Sequence, residues 1–355
     1  MSDIIVGSAS DLGVPLEDIC KFYKDNWIRK IALSDKKFYH WQFVNTPKDM
    51  DADKCCVAVK GNEILGVMGL NTRDFYLNGE IKYGAELTTW VVSEKSRGQG
   101  IGPKIITYLK NTYEVMIGMG ISLSALPIYL RNGFKYIKAI PRYVCVIEWE
   151  PIEQFIEEQP LARKYFREQF LSYPFSTKET NMVELDNIFD NFSKNNNCFS
   201  RKSDDINWRY DQHPYFRYKH FIVNEDCFVA IRIDEDVNGF KMAHCVDLFG
   251  NNDSYQSAIS AAISYAKEQG ASAIDFFSTN TNLNAKLSAM GLFSTLDHDF
   301  FKFPHLFHPI EIRDPATTSL ILWSNEKIDT LINTGCLHIT KQDADFDRPV
   351  MESIK

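Results

Sequence analysis

The sequence has 355 residues, 45% of them hydrophobic and 24% charged, with a net charge of −8 and a pI near 5.6. That describes an ordinary globular chain of two domains or one large one, and the acidic balance argues against nucleic acid or an anionic membrane as the main partner. No apolar run reaches membrane-spanning length, and the start MSDIIVGSASDLG has no basic n-region, so neither a membrane span nor a signal peptide is expected. The eight cysteines show no C-x-x-C spacing, which fits free thiols in a reducing cytoplasm. The eight histidines are scattered, so no zinc site is expected.

In chain order, VPLEDICKFYKDNW carries an apolar stripe at helical spacing, and CCVAVKGNEILGVMGL reads as two strands about a Gly-Asn turn. IKYGAELTTWVV is a β-rich run. GPKIITYLKNTYEVMIGMG reads as one amphipathic helix, with Pro103 in its first turn and Gly120 as C-cap. ISLSAL then reads as a short strand, PIYLRNGF as a helical turn closed by Gly133, and RYVCVIEWE as a last strand. These make a mixed α/β domain over residues 1–150. The stretch 151–181 reads as a linker, with a helix broken at Pro160.

Residues 182–355 repeat the order of the first half. MVELDNIFDNF echoes PLEDICKFYKDNW, and Trp208 and Pro214 are spaced as Trp41 and Pro47 are. YKHFIVNEDCFVAIRI echoes the Cys55–Leu70 hairpin, and SYQSAISAAISYAKEQGASAIDFF repeats helix, glycine and strand. LNAKLSAMGLF stands where PIYLRNGF stood, and five echoes in one order point to a duplicated fold.

The first half alone holds KSRGQGIGPK, with three glycines in five residues between a β-run and a helix. Such a loop leaves backbone N–H groups free at a helix N-terminus, where they and the helix dipole favour an anion. It lacks the Gly-Lys-Ser/Thr of a Walker A loop, and Pro103 stands where a dinucleotide fingerprint needs its third glycine. What fits is Q/R-x-x-G-x-G/A, with Arg97, Gly100 and Gly102. Together with ALPIYLRNGF, in which Tyr129 stands four residues before Gly133-Phe134, this segment resembles the GNAT superfamily of CoA-dependent N-acyltransferases. The resemblance covers about residues 14–150, and the second half resembles the family only as a degenerate repeat. It implies an α/β fold with mixed sheets in tandem, and acyl-CoA as co-substrate held by Arg97, Gly98, Gln99, Gly100, Ile101, Gly102 and Lys104.

By the same resemblance, a backbone N–H at Val91 or Val92 polarises the thioester oxygen, and Tyr129 meets the departing thiolate. Glu86, eleven residues before Arg97, is the candidate base for the amine; a solvated or salt-bridged Glu at a strand end is the other reading. Strand alternation would put Glu86, Thr88, Trp90 and Val92 on one face. His40 and His213 stay outside the catalytic set. Asp343, Asp345 and Asp347 lack the glycine and glutamate of a calcium loop, so a solvated acidic tail is expected, with a tail folded back over the acceptor as the alternative.

The two-domain arrangement, including the closing HITKQDADFDRP, is similar to bacterial acyltransferases acting on nucleotide-linked amino sugars. That implies transfer of an acetyl or short hydroxyacyl group, such as 3-hydroxybutyryl, to a dTDP-linked amino sugar in the cytoplasm, for cell-surface polysaccharides such as O-antigen and lipopolysaccharide. The alternatives are a peptide or protein amine as acceptor, or a non-catalytic CoA-binding module. Arg201, Lys202, Arg209 and Arg217 are the cations available to grip a nucleotide diphosphate. The internal repeat favours a monomer.

Overall fold

The computed structural model describes residues 3–27, 29–151, 153, 171–236, 239–296, 317–326, 331, 335–346 and 348–349. They form two mixed sheets built to one plan. The first half supplies β1 (Ile5–Ser8), α1 (Leu16–Asn26), α2 (Lys36–Tyr39), β2 (Cys56–Lys60), β3 (Glu63–Leu77), β4 (Glu80–Val92), α3 (Ile101–Thr112), β5 (Val115–Met119), α4 (Leu126–Arg131), β6 (Lys135–Ile137) and β7 (Arg142–Val146). The second half supplies β8 (Thr177–Glu179), α5 (Met182–Ser193), β9 (Cys198–Phe199), α6 (Ser203–Ile206), β10 (Lys219–Val223), β11 (Cys227–Glu235), β12 (Lys241–Gly250), α7 (Tyr255–Glu268), β13 (Ala273–Phe277), α8 (Thr281–Ala289), β14 (Phe293–Ser294) and β15 (Leu320–Ser324).

The first sheet runs β1-β2-β3-β4-β5-β15-β6 and the second β8-β10-β11-β12-β13-β7-β14. The two orders correspond strand for strand, with one exchange. β15, from the end of the chain, lies antiparallel between β5 and β6. β7, from the first half, lies antiparallel between β13 and β14. Each half gives its last strand to the other's sheet, so neither sheet is built from 1–150 or 182–355 alone. β8 falls inside the stretch 151–181 expected as a linker, where it pairs with β10. The helix expected about Pro160 lies outside the described residues.

The apolar pattern of GPKIITYLKNTYEVMIGMG predicts one helix through to Gly120. The helix ends at Thr112, and Val115–Met119 is a strand parallel to β4. Val115, Met116 and Ile117 are fully buried, covered on both faces as central parallel strands are, and such a run has no period-2 signature to part it from a buried helix. ISLSAL is consequently a turn, in which Ala125 and Leu126 donate to the Ser122 carbonyl.

Packing follows the same plan in both halves. α3 covers one face of the first sheet through Ile101, Ile105, Ile106 and Leu109, packed with Met68, Leu70 and Leu87. α1, α2 and the helical turn His40–Val44 cover the other through Ile19, Tyr23, Phe38 and Phe43. α7 and α5 do the same for the second sheet. The echoes at Trp41 and Trp208 meet in space: the two indoles stack 5.4 Å apart, Trp41 Nε1 donates to the Trp208 carbonyl at 3.0 Å, and Trp208 Nε1 donates to the Trp41 carbonyl at 2.9 Å. The described helices include none long and apolar enough to cross a membrane. All eight cysteines are free thiols, seven of them buried.

Candidate active site

The site is organised by β4. Its first part pairs with β5 from Gly84↔Val115 to Leu87↔Gly118, and no pairing with β5 follows, although β4 runs on to Val92. β5 itself ends at Met119, so β4 runs on past it beyond Leu87. On the β3 side, Met68 faces Trp90 and Leu70 faces Leu87, so the single residue Gly69 opposes both Thr88 and Thr89. This is a β-bulge, and it inverts the alternation of side chains beyond it. Gly69 is needed there, because a Cβ would stand 2.4 Å from Thr88 Oγ1 and 2.5 Å from Phe43 Cζ.

The bulge corrects the expectation that Glu86, Thr88, Trp90 and Val92 share a face. Ala85 and Leu87 belong to the core under α3, and so, beyond the bulge, do Trp90 and Val92. Glu86 lies on the opposite face, where it meets the β3 side chains Asn71 and Arg73.

On the α3 face, β4 leads through Ser93 and the Glu94–Ser96 turn into the glycine loop. Gly98 and Gly100 take φ of +79° and +74°, a backbone region that side chains disfavour, and Gly100 caps α3 in it. Gly102 has another reason. A Cβ there would stand 2.9 Å from Trp90 Cζ2 and 3.2 Å from Ile128 Cδ1, so its absence lets α3 settle onto Trp90 and α4. Gly102→Ala is expected to destabilise the fold by about 1–3 kcal/mol through this overpacking, read as a lower urea midpoint. The first turn of an α-helix has no intrahelical acceptors for its N–H groups. Lys104 N–H donates to the Gly100 carbonyl at 3.3 Å, and Pro103 has none to give, which leaves those of Ile101 and Gly102 at the helix end. The bare, outward-turned loop on a helix N-terminus fits a diphosphate. The corresponding loop of the second half does not. There Asn251 accepts from Asp253 N–H at 3.1 Å, and Asp226 accepts from Asn251 Nδ2 and Ser254 Oγ, so carboxylates occupy the place of bare backbone.

Tyr129, on α4, is 2% exposed and packs edge-on to Trp90 (5.4 Å) and Phe134 (5.1 Å). Burial raises its phenol above the ordinary value, so it stays protonated. Gly133 at φ +86° ends the turn, with Phe134 N–H donating back to the Tyr129 carbonyl.

On the opposite face, Glu86 is 3% exposed and accepts from Asn71 Nδ2 at 3.1 Å and Arg73 Nη2 at 3.4 Å. Burial pushes its carboxyl up to about 7, against the lowering pull of Arg73 and Arg209. Asn71 and Arg73 were missed in the sequence. Their trace was a polar run, Asn71–Asp74, inside an otherwise largely apolar strand, in which Asn71 and Arg73, two apart, share a face.

The acidic tail is not solvated. Asp343 is fully buried and accepts from Arg73 Nη2 at 3.3 Å and Arg201 Nη2 at 2.7 Å, and Asp345 pairs with Arg348. Asp347 lies outside the described residues. The cations considered for a diphosphate are mostly engaged. Arg201 is fully buried between Asp247 and Asp343, and Arg209 is buried and donates to the Ala344 carbonyl. Lys202 pairs with Asp190 at 2.5 Å, and Arg217 donates to the His213 and Phe216 carbonyls. His213 Nδ1 accepts from the Tyr215 and Phe216 amides, a turn-stabilising role; His40 is exposed.

The second sheet puts His244 where the first puts Glu86: His244 pairs with Arg232 on β11 and Asp275 on β13, as Glu86 does with Asn71 on β3 and Ile117 on β5. That position is closed. His244 Nδ1 lies 2.7 Å from Asp275 and 3.1 Å from Lys341 Nζ, Lys341 also pairs with Asp275, and all three are buried. Burial brings His244 down to about 4 and Lys341 to about 8. Among the described residues no group of three or more His, Cys, Asp and Glu is placed to hold a metal.

Residues 16–134 match the sequence model described as the Acetyltransferase (GNAT) family. No curated protein is significantly similar to the chain. Among solved structures, N-myristoyltransferase of Saccharomyces cerevisiae with bound myristoyl-CoA is similar at a TM-score of 0.53 and 10% identity, over 91% of this chain and 83% of that one. A probable N-acyltransferase of Enterococcus faecalis V583 is similar at a TM-score of 0.53 and 8% identity, over 93% of this chain and 74% of that one. At such identities the likeness is one of fold, and it extends over both halves.

Proposed function

We propose that this chain is a GNAT-type N-acyltransferase with acyl-CoA as co-substrate, and that it divides its reaction between the two faces of β4. The observation that carries the reading is that β4 runs on past the end of its pairing with β5 at Leu87, with the glycine loop and Tyr129 on one face and Glu86 on the other. Acyl-CoA lies on the α3 face, its diphosphate on the amides of Gly98–Gly102, with Arg97 and Lys104 adding positive charge at the loop's ends. Its thioester reaches β4 beyond Leu87, and the amine enters from the Glu86 side.

Val92 is the better of the two oxyanion candidates. Ser93 N–H donates to the Leu65 carbonyl on β3. Successive amides of a strand alternate, so Val91 N–H also faces β3, and that of Val92 faces the open side where charge develops on the thioester oxygen. Tyr129, kept protonated, donates to the sulfur as it leaves. Glu86, poised near neutrality, takes the proton that the amine must lose. Tyr129→Phe is expected to lower kcat about 10²-fold while leaving the Kd for CoA unchanged, measured by thiol release and by calorimetry. An unchanged kcat removes Tyr129 from the chemistry.

The acceptor is an amine, and two classes of amine stand against each other. A nucleotide-linked amino sugar rests on the similarity of the two-domain arrangement. Against it, Arg201 and Arg209 are committed to buried partners rather than to a diphosphate. A peptide amine is favoured by a cleft in the second half, about 740 Å³, whose walls include Glu184, Glu225, Asp226 and Asp253 against the single cation Lys178 among the described residues, a net acidic lining that suits a cationic ligand. Turnover is compared with a dTDP-amino sugar and a lysine-containing peptide under identical conditions. Turnover of neither, by folded protein that binds CoA, leaves the CoA-binding module as the surviving reading.

A further inference from the structure

The residues around Glu86 belong to a chain of buried charges that crosses from one half of the molecule to the other. Arg73 Nη2 lies 3.4 Å from Glu86 Oε2 and 3.3 Å from Asp343 Oδ1, so one nitrogen serves two carboxylates, neither at the 2.7–2.9 Å of a strong ion pair. Its Nε and Nη1 are buried without hydrogen-bond partners among the described residues. These two carboxylates are the ones Arg73 donates to; the buried Asp205 also feels its charge, and the guanidinium plane rests on the Phe199 ring at 4.5 Å.

Asp343 is in turn held by the second half. Its Oδ2 accepts from Arg201 Nη2 at 2.7 Å and from the Thr340 amide at 3.0 Å. Arg201 Nε donates to Asp247 of β12 at 2.9 Å, and its Nη1 donates to the Phe199 carbonyl at 2.8 Å. Arg73, Asp343, Arg201 and Asp247 are each no more than 1% exposed, where solvent screens their mutual interaction least.

We propose that Asp343 and Arg201 are positioning residues for Glu86, acting through Arg73: Asp343 draws part of the Arg73 guanidinium away from Glu86, and Arg201 limits how much it draws. This rests on the reading of Glu86 as the proton acceptor. It gives the second half, whose own equivalent of the site is closed by Lys341 and Asp275, a defined part in the reaction of the first. The direction of control follows from charge alone. Without Asp343, Arg73 pairs with Glu86 only and holds it ionised to lower pH. Without Arg201, the unneutralised Asp343 takes more of Arg73, and Glu86 keeps its proton to higher pH. The other charged groups facing Glu86 are Arg209, in the helical turn 207–211, and Asp345 of the C-terminal segment, and both variants leave them in place.

The test is the pH profile of kcat/KM for Asp343→Asn and Arg201→Gln in the full chain, with the carboxyl titration of Glu86 followed by carbon NMR on glutamate-labelled protein, its signal assigned by loss in Glu86→Gln. Asp343→Asn keeps an oxygen to cap the turn at Thr340, and so is the variant least disturbing to the fold. It is expected to move both the acidic limb and the Glu86 titration about one unit lower, and Arg201→Gln to move both about one unit higher. A Glu86 titration that stays in place in either folded variant, or moves the same way in both, overturns the proposal. A titration that moves as expected while the acidic limb does not follow it upholds the coupling and removes Glu86 as the proton acceptor.

Discussion

Glu86→Gln is expected to lower kcat by about 10²–10⁴-fold, the usual contribution of a positioned base, and to flatten the acidic limb of the rate profile. In the parent enzyme kcat/KM should rise with pH through about 7, because the ionised carboxylate is the active form and burial sets its titration there. The sign matters. A structural glutamate locked to Arg73 would be held well below its ordinary value and would give a flat profile across neutrality. Gln has the shape of Glu and still accepts from Asn71 and Arg73, so the fold should survive the change. Thiol release measured between pH 5.5 and 9 decides it, and a variant with the parent's rate and limb would sink the assignment.

The second large effect is on folding. Residues 1–150 expressed alone are expected to yield no cooperative unfolding transition, although every GNAT-like motif of the chain lies within them. They lack β15, which stands between β5 and β6, and Leu320, Ile321 and Leu322 are fully buried in that slot. Losing three such side chains costs about 5–9 kcal/mol at the usual 1.5–3 each, comparable with the whole stability of a domain. The fragment also carries β7 with its partners gone, including Arg142 without its buried mate Asp275. Urea titration followed by circular dichroism tests this. A sharp, reversible transition would mean that the first half folds without the strand it borrows.

Much of the fold was legible because its elements are locally encoded. The hairpin at Gly61, the glycine loop and the helix-glycine-strand order at Gly270 are turn chemistry, and the echo of Trp41 in Trp208 marked the repeat. The strand exchange was not legible. β7 and β15 carry the same β-signals whichever sheet they enter, and the choice is made by contacts about 130 to 200 residues away in sequence. At the site, the glycine loop and Tyr129 stood out because they depend on local spacing. The position of Glu86 relative to Trp90 did not, since a bulge at Thr88–Thr89 has no obligatory residue type, and the glycine opposite it looks like any other strand glycine. The tail misled because acidic residues in a row default to solvent unless buried arginines await them, and Arg73 and Arg201 lie 270 and 142 residues away from Asp343.

The reciprocal Trp41–Trp208 contact has the form of a two-fold dimer interface, in which residue i touches j and j touches i, yet both indoles belong to one chain. In a pair of separate subunits such a contact is subject to dilution. Here the tether fixes the encounter, and the effective concentration of one half about the other does not depend on how much protein is present. Activity per molecule should therefore be independent of enzyme concentration as far as this internal contact is concerned. The covalent link also removes the constraint of true symmetry: an exact dimer must carry the same residue at both equivalent positions, whereas this chain keeps Glu86 at one and His244, sealed by Lys341, at the other.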